Sequence, residues 1–160
     1  MPASSTPVLR RATIEDALQI TQHRHQMFAD NGFAPEDRLK EMDHAFEPWL
    51  RSALADGSYL GLLLEDESHI LAGAGIYFMP FPPHWIHDEP RRAYLLNVYV
   101  VPEARNRGFA SQLLQACLAI CRDKNIAVVT LHASPQGRPI YEKLGFEPSD
   151  EMMLRLRPES

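Results

Sequence analysis

The period of the apolar positions changes several times along the chain, and each change predicts an element. Val8 to Arg11 reads as a short edge strand. Thr13 offers a helix N-cap, with Glu15 and Asp16 in the first turn. Ile14, Leu18, His25 and Phe28 then mark one helical face, and Asn31-Gly32 supplies the stop. Pro35, followed by Glu36 and Asp37, opens a second helix that runs to about Ala55, with a bend at Pro48. Phe33, Met42, Phe46 and Trp49 give it apolar mass, and Asp56-Gly57 ends it. Tyr59 to Leu64 and Ile70 to Met79 read as two strands joined by the polar turn Glu65 to His69. Gly73 and Gly75 inside the second predict a bulge or a close packing.

Residues 80 to 92, PFPPHWIHDEPRR, contain four prolines. Proline fixes φ and removes a donor, so a helix or a central strand is excluded there. The loop carries Phe81, His84, Trp85 and His87, and is either a substrate lid or a surface loop pinned by Trp85. Tyr94 to Val101 is β-branched, aromatic or leucine except for Asn97, which suits a strand covered on both faces and ended by Pro102. Ala110, Leu113, Leu114, Cys117 and Cys121 recur at helical spacing, so a helix starts near Arg107. Ala127 to His132 reads as a buried strand, and 138 to 144 as a short helix capped by Gly145. Phe146 begins a return strand, and Met152 to Leu156 is the last one. Residues 1 to 6 and the charged end read as loose tails.

A chain of 160 residues with 45% hydrophobic and 23% charged positions fits one globular domain over 1 to 160, with its core at about 7 to 157. No apolar run approaches the ~20 residues of a membrane span. The start MPASSTP has no apolar signal core, which implies no export. Cys117 and Cys121 lie four apart within the apolar stripe and read as reduced core residues, so the expected location is cytoplasmic. The net charge of -5 is unevenly spread, from -8 over residues 1 to 89 to +3 over 90 to 160. The basic half suits an anionic cofactor; the acidic half is either a steering field for a cationic amine or a solvated surface. No basic face or motif points to nucleic acid. His23 and His25 face apart on their helix and no carboxylate cluster joins them, so no metal site is expected.

The candidate chemistry lies at the junction of residues 94 to 111, where a strand, an Arg-rich turn and a helix start follow one another. The first N–H groups of a helix have no intrahelical acceptor and sit at the positive end of its dipole. A phosphate is favoured there. Gly108 and Ala110 keep the approach open, and Arg105 and Arg107 add charge. Arg105, Gly108 and Ala110 make an Arg-x-x-Gly-x-Ala pattern, and residues 132 to 146, HASPQGRPIYEKLGF, follow in order.

These two segments resemble the acetyl-CoA site and the terminal Tyr-x-x-Leu-Gly-Phe segment of the GNAT superfamily of N-acetyltransferases. The resemblance spans roughly residues 7 to 157. It implies an α/β (α+β) acyl-CoA N-acyltransferase fold: a mixed, mostly antiparallel sheet with splayed parallel strands, flanked by about four helices. It implies transfer of an acetyl group from acetyl-CoA to a primary amine, by direct attack in a ternary complex and without metal. The alternative is a catalytically weak acyl-CoA-binding sensor or regulatory module of the same fold.

Residue by residue, the resemblance assigns the cofactor to Val98, Tyr99 and Val100 on the bulged strand. It adds Arg105, Asn106, Arg107, Gly108, Phe109, Ala110 and Ser111 in the cradle, and Ser134 where relatives often carry Asn. Tyr141 is the implied general acid, because a phenol with pKa ~10 is still protonated where a thiol with pKa ~8.5 ionises. No carboxylate base carries over, since the candidate places hold Tyr94 and Val129. His132 is the candidate base, with His25 and the loop residues His84, His87, Asp88 and Glu89 as alternatives. His25, Phe28, Trp85 and Tyr94 are the candidate substrate-binding residues. A homodimer is expected from the family.

Overall fold

The computed structural model describes residues 6–67 and 69–157. The N-terminal tail expected at residues 1 to 6, apart from Thr6, and the end of the charged tail lie outside them. Five strands form one sheet in the order β1-β2-β3-β4-β5. They are β1 (Val8–Arg11), β2 (Tyr59–Asp66), β3 (His69–Pro80), β4 (Arg91–Val100) and β5 (Val129–Leu131). All neighbours pair antiparallel except β4 and β5, which run parallel. The helices are α1 (Ala17–Asp30), α2 (Glu36–Asp56), α3 (Phe109–Asp123) and α4 (Arg138–Lys143). This is the mixed, mostly antiparallel α/β arrangement expected. No helix among the described residues is long and apolar enough to cross a membrane.

The sheet is covered on two faces, and each strand divides its side chains between them. Leu62, Leu64, Ala74, Ile76, Ala93 and Leu95 pack with Leu113, Leu114, Cys117 and Cys121 of α3. Tyr59 and Leu63 point the other way, onto Ala17, Ile20, Phe46, Leu50 and Ala53 of α1 and α2. Fully burying one such leucine contributes roughly 1.5–3 kcal/mol, so the stripe on α3 fixes that helix against the sheet. Gly73 and Gly75 are the close packing expected of them. A Cβ at Gly75 would lie 2.0 Å from the Tyr59 hydroxyl, and one at Gly73 would lie 3.2 Å from Nδ1 of His23.

The helix signals at residues 35 to 57 hold. Pro35 precedes the first turn of α2, and Gly57 ends it at φ 83°, a left-handed value that suits glycine. Four expectations are corrected. The buried face of α1 is Ala17, Ile20, Thr21 and His23; Ile14 and Leu18 are exposed and His25 turns toward α2. The face is set by the residues that meet the sheet, as His23 does at Gly73 and Ile20 beside Tyr59. Helix α3 starts at Phe109, not near Arg107, because Gly108 at φ 80° cannot be its first turn. The proline loop is shorter than 80 to 92: Pro80 pairs with Arg91 and Met79 with Arg92, since the end of a strand tolerates proline. Finally, 146 to 156 forms no strand among the described residues. Met152, Met153, Leu154 and Leu156 are instead 70–94% exposed.

Candidate functional site

The site begins at a break in the alternation of β4. Gly75 pairs with Leu96 and Gly73 with Tyr99, so Asn97 and Val98 share the space opposite Ala74. Asn97 has φ 57°, a left-handed value that asparagine tolerates better than most residues. This is a β-bulge, and it reverses which residues face which layer. Before it, Leu95 faces α3 and Leu96 packs on the α1/α2 layer. After it, Val98 and Val100 pack toward α3 while the Tyr99 ring meets His23 of α1 at 5.1 Å. Asn97 is held in place by its side chain. Its Nδ2 donates to the Tyr59 hydroxyl at 3.0 Å, and its Oδ1 accepts from Arg24 at 2.9 Å. Reading the sequence missed this role; an asparagine in an apolar strand, opposite Gly73 and Gly75, is its signal.

The strands part just beyond. Strand β5 pairs with Ala93, Tyr94 and Leu95 and ends at Leu131. From Leu96 to Val100, the β5-facing edge of β4 has no strand partner among the described residues. The candidate backbone groups of Val98, Tyr99 and Val100 therefore lie along this opening.

At the far end of β4, a 3-10 turn (Pro102–Ala104) leads to Asn106 at φ 64° and Gly108 at φ 80°. The N–H of Gln112 binds the Gly108 carbonyl at 3.0 Å. The preceding N–H groups of Phe109, Ala110 and Ser111 form the open first turn of α3. A Cβ on Gly108 would have no heavy atom within 4 Å, so the space over the turn is open. The two arginines are partly committed. Nη2 of Arg105 binds Asp30 at 2.9 Å and its Nε binds the Val100 carbonyl at 3.0 Å. Arg107 lies over the Phe109 ring, 4.7 Å from its centre. The turn thus offers backbone donors first and mobile charge second.

Tyr94, His132 and Tyr141 gather at the mouth of the opening. The Tyr94 hydroxyl hydrogen-bonds Nδ1 of His132. Burial, with Tyr94 nearby, pushes the Tyr141 phenol above its usual range, so it stays protonated. Burial likewise raises Tyr94. Tyr141 packs against Phe146, with ring centres 5.9 Å apart. Ser134 Oγ accepts from the Gly137 N–H at 3.1 Å and so shapes the start of α4.

The other candidates divide. Phe28 comes close, its ring 4.9 Å from the guanidinium of Arg24. His25 does not. Its Nδ1 meets Asp43 at 2.6 Å and its Nε2 meets Glu36 at 3.0 Å, so both ring nitrogens hold α2. Asp43, then Glu36, hold it protonated above its ordinary range. Trp85 is 88% exposed with its ring on His84, so it does not pin its loop. His84 and His87 bond each other through their backbones at 3.0 Å. Cys117 and Cys121 are buried free thiols, pushed up to about 12 and about 11 by desolvation, which makes them poor nucleophiles.

Residues 19–146 match the family model described as the acetyltransferase (GNAT) family. No curated protein matches. Among solved structures, a GCN5-related N-acetyltransferase from Ralstonia eutropha is 35% identical, with 94% of this chain and 98% of that one covered and a TM-score of 0.89. A predicted acetyltransferase with acetyl-CoA from Clostridium acetobutylicum is 28% identical over 93% of this chain and 95% of its own, with a TM-score of 0.86. Glucosamine-6-phosphate N-acetyltransferase from Arabidopsis thaliana shares the fold at 15% identity, covering 94% and 98%, with a TM-score of 0.70.

Proposed function

The chain belongs to the GNAT acetyltransferase family, whose members move an acyl group from acyl-CoA to an amine, and on that premise we propose that it acetylates a primary amine with acetyl-CoA by direct attack. The observation that carries the proposal is the bulge at Asn97 beside the parted strands β4 and β5. An unpaired strand edge offers N–H groups to the pantetheine arm and to the thioester oxygen, where negative charge develops. The open turn over Gly108 offers donors to the pyrophosphate.

The residues at the mouth supply the proton chemistry. Tyr141 gives its proton to the departing sulfur as the C–S bond breaks, so CoA leaves as the thiol. His132 takes the amine proton through Nε2, in the tautomer whose Nδ1–H donates to the Tyr94 oxygen. Tyr94 is then a positioning residue for the imidazole. Much of the rate gain comes from orienting amine and thioester together. Two buried free thiols suit a reducing, cytoplasmic setting. A homodimer belongs to the same proposal, supported by the exposed apolar side chains of Met152, Met153, Leu154 and Leu156.

The test is thermal. A ligand at ~100 times its dissociation constant adds ~2.7 kcal/mol to the folded state, so acetyl-CoA raises the melting temperature clearly. In Gly108→Glu, charge and bulk enter the cradle and the rise disappears. Amines are then screened by thiol release. A shift without release for any amine would leave a binding module; no shift at millimolar acetyl-CoA would overturn the proposal.

A further inference from the structure

Arg24 is a cation that the proposed chemistry does not use, yet it sits beside the bulge. Its Nη1 donates to Asn97 at 2.9 Å, and its guanidinium lies between two rings, 4.9 Å from Phe28 and 4.7 Å from Phe46. Six other arginines, at 10, 38, 51, 91, 105 and 138, each hold a carboxylate. Among the described residues Arg24 holds none, and its Nε is buried without a hydrogen-bond partner. Asp43 acts on it through space; Oδ2 of Asp43 is bonded to His25, and among the described residues its Oδ1 is buried without a hydrogen-bond partner and forms no ion pair with Arg24. Tyr94 and Tyr59 are the other titratable groups whose charge reaches it.

A half-buried guanidinium is costly unless it is paired. Two ring faces and one neutral acceptor offset part of that cost. They occupy the faces of the plane and its Nη1 corner. Nε is enclosed without a partner and, among the described residues, no hydrogen bond engages Nη2, so a carboxylate that displaces the cover over this edge meets a two-donor fork. A single guanidinium balances one negative charge, which favours a carboxylate over a phosphate dianion.

We propose that Arg24 anchors the acceptor by its carboxylate, so that the acceptor is an amine carrying a carboxylate, held with its nitrogen toward Tyr94 and His132. This rests on the acetyltransferase reading and names its substrate class. Arg24 is then a specificity-determining residue in addition to holding Asn97.

The experiment is calorimetric, so it reads binding without turnover. The protein is saturated with CoA and titrated with matched pairs: leucine and isoamylamine, phenylalanine and phenethylamine, β-alanine and ethylamine. The carboxylated member of at least one pair binds ~10-fold or more tightly, as expected for a charge-assisted fork. In Arg24→Gln that preference collapses, and in Arg24→Lys it is partly restored. Both variants keep the CoA-induced rise in melting temperature, which shows that the fold and the cradle persist. If Arg24→Gln does not fold, the wild-type pairs and phosphoethanolamine decide. Equal binding within every pair, no binding by any probe, or a preference for phosphoethanolamine over β-alanine would overturn the assignment. So would discrimination that survives in Arg24→Gln. Failure of the acetyltransferase reading looks different: carboxylate preference is retained while no thiol is released from acetyl-CoA.

Discussion

Tyr141 combines two properties that a proton donor needs. Its phenol is partly buried and pushed above the ordinary tyrosine range, so it carries its proton throughout the neutral range. It also belongs to a short helix whose start is fixed by Ser134 and Gly137, which limits where the ring can go. Replacing it by Phe keeps the packing on Phe146 and removes only the O–H. The expected result is a fall in kcat of ~100-fold or more, with the acetyl-CoA-induced rise in melting temperature kept. Unchanged kcat under rate-limiting chemistry would remove Tyr141 from the mechanism. A second residue-scale test concerns the bulge. At Gly75 an added Cβ would fall 2.0 Å from the buried Tyr59 hydroxyl, which is itself held by Asn97. Gly75→Ala therefore displaces Tyr59 and is expected to cost about 3 kcal/mol in urea unfolding. A loss well under 1 kcal/mol would mean that the ring relaxes freely.

Helix α1 carries two histidines with opposite pH behaviour, and their difference is a property of the element. His23 faces the sheet, and burial lowers it to about 4. Its folded pKa is depressed below the unfolded ~6.5. Stability from keeping it neutral is therefore present above ~6.5 and lost as pH falls toward 4, by about 3 kcal/mol. His25 faces α2 and is raised by Asp43 and Glu36. Its contribution is present in full below ~6.5 and lost as pH rises through its folded pKa. Urea midpoints across this range, read by tryptophan fluorescence, separate the two. His23→Asn flattens the acid limb and His25→Asn flattens the alkaline one. A wild-type acid limb that persists in His23→Asn would refute the first assignment.

These elements also show what was legible in the sequence. Helix α2 was, because Pro35 and Gly57 act locally. The turn before α3 was legible in part: the glycine marks it, but the left-handed torsion at Gly108, which delays the helix to Phe109, depends on the path of the chain. The buried face of α1 was not, because several stripes are available to it and only its packing on the sheet, with His23 against the bare backbone of Gly73, selects one. The roles of Asn97 and Arg24 were not legible either, since each depends on a partner more than 35 positions away.

At the scale of the whole molecule, the segment 152 to 156 stands apart from the sheet. Its alternating Met152, Leu154 and Leu156 have the pattern of a strand, yet among the described residues no strand pairs with it, and these side chains are 80–94% exposed. Strand β5 is at the same time a sheet edge, only three residues long, and among the described residues no strand pairs with its outer side. An open edge and an apolar strand-forming segment in one chain favour pairing between two copies. The apolar alternation predicts a strand that this chain alone does not form among the described residues, and pairing with a second copy would supply the missing partner. Light scattering on a sizing column is expected to give a dimer near 36 kDa, about twice the 18.2 kDa chain. Leu154→Asp together with Leu156→Asp places two charges on the apolar face and shifts the population to monomer, with acetyl-CoA binding retained because the cradle lies on α3. A wild-type monomer at ~100 times the concentration of a typical micromolar dimer constant, or a dimer unaffected by both substitutions, would show that the segment folds back on its own chain instead.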